Sequence, residues 1–257
     1  MALASLFPQL SEVLNLVATI MTKPDALKLT LAVDVGGSGI KTIVLDGLGQ
    51  PQTERLRIDT PQPATPDLVI PAIADLASQQ GEFDRVSVGF PSVVQHGITR
   101  GAINLSPAWD GFDLGAALTK VLSKPVRIAN DADVQGLGAV VGRGTELVIT
   151  LGTGFGSALF VDGKLLPNLQ LGQHPFSGDK TYEDRLGNAA LEKGGAKTWN
   201  RRLEEAIATL DKLFNYDRLY LGGGNAKKID IGLPTNVKII SNKLGLLGGI
   251  ALWRDDL

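Results

Sequence analysis

The sequence predicts an α/β protein of two lobes around a cleft, the second lobe repeating the plan of the first. Three observations carry this. A chain of 257 residues is long for one core and suits two units of about 100–150 residues each. A strand, a glycine-rich turn and a returning strand occur twice, at 29–35 with 40–46 and at 147–151 with 157–161. Around each hairpin, β-rich runs alternate with helical periodicity, the pattern of a mixed sheet flanked by helices. The repeat spacing is too long for a solenoid and right for a duplicated lobe.

Each element follows from local pattern. Leu3, Leu6, Phe7, Leu10, Val13, Leu14, Val17 and Ile20 recur at helical spacing, so residues 1–28 are expected to form an amphipathic helical extension ending near Lys23 and Pro24. It is expected to dock on its own chain or on a dimer mate. No basic residue precedes its apolar stretch, and Pro8, Ser11 and Glu12 interrupt it, unlike an export signal; its polar face lacks the basic residues of membrane-surface helices.

β-rich runs at 29–35 and 40–46 flank Gly36, Gly37, Ser38 and Gly39, which reads as a hairpin. Residues 53–60 supply a third strand, 66–80 a helix and 86–90 another strand. A loop then runs from Pro91 past Asn104 and Trp109 to a helix at 114–122. From Pro125 the pattern restarts with a strand at 126–129, the run Asn130, Asp131, Ala132 and Asp133, and a small-residue helix at 134–141. The second hairpin follows, around Gly152, Thr153, Gly154, Phe155 and Gly156. A helix is expected to begin near Thr181 and to present Leu203, Ile207, Leu210 and Leu213 to the core. A strand at 218–221 enters Gly222, Gly223, Gly224 and Asn225, and a strand at 237–240 and a glycine-rich helix at 245–252 close the chain. The expected organisation is an extension (1–28), a small lobe (29–124) completed by the C-terminal segment 245–257, and a large lobe (125–244).

Composition narrows the function. Lys and Arg number 25 against 27 Asp and Glu, a formal charge of −2, so nothing global advertises nucleic acid or an anionic membrane. No run reaches the roughly 18 apolar residues of a membrane span. Zero cysteines exclude disulfides, thiolate catalysis and Cys-ligated zinc, and two histidines, His96 and His174, argue against a histidine-rich metal centre. A cytoplasmic protein is the default.

Glycine turns at strand ends let consecutive backbone N–H groups converge on an anion. The first turn lacks Walker A spacing, and G-x-G-x-x-G fails because Thr42 stands at the last glycine position after Gly37 and Gly39. A single such turn is equally a tight hairpin. Three in one chain, with Asp34 beside the first and Thr153 inside the second, point to a phosphate or nucleotide cleft.

These residues resemble the ROK-family sugar kinases, and within them the polyphosphate glucokinase-like branch. The resemblance rests on the order of Asp34-Val-Gly-Gly-Ser-Gly-Ile-Lys41, the loop of Asn104 and Trp109, Asn130-Asp-Ala-Asp133, Leu151-Gly-Thr-Gly-Phe-Gly-Ser157 and Leu221-Gly-Gly-Gly224. It implies an actin/hexokinase-type, ribonuclease H-like duplicated fold, with phosphoryl transfer from ATP and/or polyphosphate to the 6-hydroxyl of glucose or a related hexose. Mg²⁺ and a homodimer are implied with it; zinc is not.

Carried over position by position, Asp131 matches the general base, a role phosphoryl transfer to a hydroxyl calls for; the plainer reading is a helix cap. Asn104 and Asn130 match sugar-hydroxyl ligands, and Asp34 matches the carboxylate that orients hydrated Mg²⁺, its plainer reading being an Asx turn. Gly36, Gly37, Ser38 and Gly39 match the first phosphate loop, with Lys41 following it in a direction the strand leaves open. Gly152, Thr153, Gly154 and Gly156 match the second, and Gly222, Gly223, Gly224 and Asn225 the nucleotide-side turn.

The departures lie at the sugar. Where relatives carry a Glu and a His, this chain has Gln170 and Gln173, with His174 displaced by one and biased by Pro175 toward extended geometry. A hydrogen bond to a charged group contributes about 1.5–3 kcal/mol against about 0.5–1.5 for a neutral one, so altered sugar preference is expected rather than a dead enzyme. The alternative is a noncatalytic ROK-like sugar-sensing or partner-binding protein. Lys180, Lys193, Lys197, Arg201, Arg202, Lys227 and Lys228 are candidates for a polyphosphate track, with ordinary surface charge the better reading.

Overall fold

The structure, a computed structural model, describes residues 28–101, 105–241 and 244–254. The extension expected over 1–28 therefore lies, but for Lys28, outside the described residues, as does Asn104. In chain order the elements are β1 (Thr30–Val35), β2 (Ile40–Leu45), β3 (Leu56–Ile58), α1 (Pro66–Ser78), β4 (Arg85–Phe90), β5 (Val93–Gln95), β6 (Ile98–Arg100), α2 (Leu114–Leu122) and β7 (Val126–Asn130). They continue with α3 (Asp131–Leu137), β8 (Thr145–Leu151), β9 (Phe155–Val161), β10 (Lys164–Leu166), β11 (Pro175–Ser177), β12 (Lys180–Thr181) and α4 (Tyr182–Leu186). The last four are α5 (Asn188–Phe214), β13 (Arg218–Gly222), β14 (Val237–Ile239) and α6 (Leu244–Ala251).

Two five-stranded sheets form, in the orders β3-β2-β1-β4-β7 and β10-β9-β8-β13-β14. In each an antiparallel hairpin (β1–β2, β8–β9) is joined to a parallel neighbour (β4, β13), so the duplication read from the sequence is a duplication of sheet topology. The central strands are buried along nearly their whole length, as strands covered on both faces must be. Leu31, Val33, Val88, Ile73 and Leu118 bring α1 and α2 onto the first sheet around Trp109. Trp199, Leu203, Ile207 and Leu210 of α5 cover the second.

Three expectations need correction. β7 pairs in parallel with β4, from Val86↔Val126 to Phe90↔Asn130, so this strand completes the first sheet and the change of sheet comes after Asn130, not at Pro125. The loop after Pro91 contains the β5–β6 hairpin; its turn places His96 at φ 53° and Gly97 at φ 81°, and a histidine in that conformation gave no turn signal. The helix expected from Thr181 is interrupted twice, between α4 and α5 and again within α5 at Gly195, which sits at φ 72°. Thr181 and Asp184 form a capping box for α4, and Gly187, at φ −66° and ψ 169°, breaks the path. A Cβ there would lie 3.1 Å from the Thr153 carbonyl oxygen, so the break is where the helices pass against the second glycine turn.

α6 lies between the sheets. Leu246 joins Ala32, Ile43 and Leu45 on the first sheet, while Ala251 and Leu252 join Val134, Val148 and Tyr220 toward the second. Gly248 allows α6 and α3 to touch backbone to backbone, since any Cβ would run into the Val134 carbonyl. Ser87 Oγ donates to Gly249 O at 2.6 Å, and Trp253 Nε1 donates to Ser87 Oγ at 2.8 Å. The Arg85 and Arg127 guanidinium groups sit 4.9 and 4.7 Å from the Trp253 ring centroid, a pair of cation–π contacts that holds Trp253 against β4 and β7.

Candidate active site

A cleft of about 530 Å³ opens where the strand ends of the two sheets meet α3. Strand register places its first side chains. Asp34 and Lys41 are direct partners across β1 and β2, so both project to the same face. Lys41 Nζ donates to Asp34 Oδ2 at 2.7 Å, and both residues line the cleft. The direction that the sequence left open for Lys41 is thus inward.

The β7–α3 junction supplies the next group. Asn130, not Asp131, is the N-cap of α3: its Oδ1 accepts from Ala132 N at 2.9 Å while its Nδ2 donates to Ser92 O at 3.0 Å. Asp131 Oδ1 also accepts from Ala132 N at 2.9 Å, but the residue lines the cleft together with both glycine turns. Burial, and then the nearby Asp34 carboxylate, push its pKa up from 3.8 to about 6, against the pull of Ala132 N–H and Lys41. A carboxylate so placed is still mainly ionised at neutral pH and accepts a proton more readily than a free aspartate. Two residues further, on the opposite side of the helix, Asp133 is 1% exposed, and burial raises its pKa to about 7 although Asn168 N–H holds it down. Asp133 does not line the cleft.

The remaining walls come from the glycine turns and the loop after β10. Gly36, Gly37, Ser38, Gly152, Thr153, Gly154, Gly156, Gly223, Gly224, Asn225, Gln170 and Gln173 all line the cleft with Asp34, Lys41, Asn130 and Asp131. Two residues assigned to phosphate loops stand behind the wall instead. Gly39 O accepts from Gly36 N at 3.0 Å to close the first turn, and Gly222 ends β13 where a Cβ would meet the Gln135 amide at 2.7 Å. At Gly222 the lack of a side chain leaves room for the Gln135 amide. Gly36 and Gly152 use their own N–H groups within the turns, Gly152 N donating to Gly154 O at 3.1 Å. Gly223 sits at φ 88°, pressed against the Leu151 backbone. None of the seven basic candidates for a polyphosphate track is a lining residue: Arg201 pairs with Glu205 at 2.5 Å on the surface, and Lys41 is the sole Lys or Arg among the described residues of the cleft.

Among the lining residues that the sequence did not single out are Glu183, Asn188, Gln135 and Thr150. Glu183 is the chemically notable one, its Oε2 accepting from Phe155 N at 3.2 Å. The capping box at Thr181 signals a helix start, and an acidic residue in such a first turn looks like ordinary helix electrostatics; only the passage of α4 beside the second glycine turn brings it to the cleft. His174 is exposed, with Nδ1 2.8 Å from Pro175 O, and is not a lining residue.

Duplicated sheets with a helix packed between them, and a carboxylate in one cleft with two glycine turns, are the arrangement of a phosphoryl-transfer enzyme of the actin/hexokinase type. The sequence pattern of the ROK family matches residues 30–179. The chain is 34% identical over 212 residues to the polyphosphate glucokinase of Mycobacterium tuberculosis, covering 79% of this chain and 80% of that one. The inorganic polyphosphate/ATP-glucomannokinase of Arthrobacter sp. strain KM superimposes with a TM-score of 0.80 at 34% identity, covering 88% of this chain and all of the other. A ROK-family glucokinase from Streptomyces griseus, solved with glucose and AMPPNP, gives a TM-score of 0.74 at 19% identity over 87% of this chain and 98% of its own, a likeness of fold. The chain belongs to the ROK family and is a carbohydrate kinase.

Proposed function

We propose that this kinase transfers a phosphoryl group from ATP and/or polyphosphate to the 6-hydroxyl of glucose or a related hexose, with Asp131 as general base. The observation that carries the reading is Asp131 in one cleft with both glycine turns and Lys41. As the hexose oxygen attacks, its proton passes to Asp131, the new O–P bond forms, and the bond from phosphorus to the donor's leaving phosphate breaks. Lys41 and backbone N–H groups of Gly37, Ser38, Thr153 and Gly154 offset the charge on the donor phosphates. Asn130, Gln170, Gln173 and Glu183 hold sugar hydroxyls, with Asn104 assigned to the same group by resemblance. Gly223, Gly224 and Asn225 take the nucleotide side of the donor.

Mg²⁺ fits the donor set. The Asp34 carboxylate is close enough to push the Asp131 pKa up, and a hard cation is satisfied by one or two carboxylates with water and substrate phosphates; no self-sufficient cluster of three or more acidic or histidine ligands occurs among the described residues. Asp34 would hold the ion through water, and the ion would supply charge neutralisation at the transferring phosphate. Coupled assays of a hexose panel with ATP and with polyphosphate test the reading: turnover that falls about 10²–10⁴-fold in Asp131→Asn supports it, and no turnover with any sugar refutes it. The sensor or scaffold alternative is not favoured, because the relatives at 34% identity are named kinases. The working form is taken as a cytoplasmic homodimer, supported by resemblance; sedimentation of the full chain as a monomer would overturn the dimer.

A further inference from the structure

We propose that Asn168 is a latch between the lobes that positions the hexose-binding loop, with Asp133 as its anchor; this rests on Gln170 and Gln173 facing the sugar. Asn168 follows β10 and immediately precedes Leu169 and Gln170, which line the cleft. Its amide side chain pairs with a backbone unit of the first lobe as a strand residue would: Val94 N donates to Asn168 Oδ1 at 2.8 Å and Asn168 Nδ2 donates to Val94 O at 3.0 Å. Val94 belongs to β5 and packs in the core of the first sheet. The Asn168 backbone is tied to the other side, where its N–H donates to Asp133 Oδ2 at 2.9 Å on α3.

Two observations argue that these bonds serve more than loop closure. Asn168 lies at φ 65°, where glycine is the least costly residue, and a glycine would lack the amide that engages Val94. Asp133 is buried to 1% exposure and, among the described residues, its Oδ1 has no hydrogen-bond partner while its Oδ2 accepts from Asn168 N, so a carboxyl group is held in the interior against the N–H of Asn168. The loop is independently fixed to its own lobe, since Ser157 Oγ donates to Leu169 O at 2.8 Å and accepts from Leu171 N at 3.1 Å. The Asn168–Val94 pair is therefore not needed to hold the loop on the second sheet. It couples the loop to the hairpin beyond Ser92, whose carbonyl is already held by Asn130, so that hexose-side groups from both lobes move as one. Asn168 and Asp133 are positioning residues, neither lining the cleft.

Asn168→Gly in the full chain is the test, because glycine suits the local φ and the fold survives. Loss of two neutral hydrogen bonds predicts about a tenfold rise in hexose KM, with kcat and donor KM within about twofold. Amide exchange at Val94 should accelerate about tenfold or more, and glucose should slow it in wild type but not in the variant. Asp133→Ala should reproduce the KM effect, and Asp133→Asn, which keeps an acceptor for Asn168 N–H, should restore most of it. Unchanged hexose KM, or hexose and donor KM rising together with a lowered Tm, overturns the latch. Unaltered Val94 exchange in Asn168→Gly overturns it whatever the activity, whereas absent turnover in wild type would refute the kinase reading instead.

Discussion

Replacing Asp131 by Asn should weaken catalysis and strengthen the fold at once. The carboxyl pKa is raised from 3.8 to about 6 in the folded chain, so the native state binds this proton more tightly than the unfolded one. Unfolding free energy then falls as pH rises through that window, and the full penalty applies above about pH 6. A shift of this size corresponds to about 3 kcal/mol, reduced by the solvent that reaches a part-buried group. Asn retains an oxygen for Ala132 N–H and removes the charge. Urea denaturation should therefore show the variant more stable by about 1–3 kcal/mol at pH 8 and by less at pH 5, while kcat falls about 10²–10⁴-fold. A variant that is less stable than wild type at pH 8 and keeps its activity would refute the argument, and would make Asp131 a helix cap.

Further outcomes follow from the same geometry. Because the base must be ionised, kcat/KM for hexose should rise about tenfold per pH unit below pH 6 and level off above it; Asp34→Asn, which removes the neighbouring charge, should move that limb to lower pH, and an unshifted limb counts against the Asp34–Asp131 coupling. The Gln170→Glu, Gln173→His double variant should lower glucose KM by about fivefold, from about 1 kcal/mol gained where the bond to Gln170 becomes a bond to a charged group; steady-state kinetics with glucose and mannose decide it. Glu183→Gln should raise hexose KM more than donor KM. Arg201→Ala with Arg202→Ala should leave polyphosphate kinetics and their salt dependence unaltered, since neither residue lines the cleft.

Much of this protein is local and periodic, and that part the sequence determined by itself. The two glycine hairpins, the apolar strands, the helix at 114–122 and the Asn130–Asp133 junction follow from side-chain alternation, glycine turns and capping chemistry, which act within a few residues. The choice of partner strands does not. That β7 closes the first sheet depends on which edge was free to hydrogen-bond, and the inward direction of Lys41 depends on its register against Asp34. Gly39 and Gly222 adjoin the cleft-lining glycines in sequence, yet neither lines the cleft. Glu183 reaches the cleft only because Gly187 lets two helices pass against Thr153, and the Asn168 latch joins residues 74 positions apart. Such long-range juxtapositions carry no local signal, because they are set by how two sheets pack against one helix.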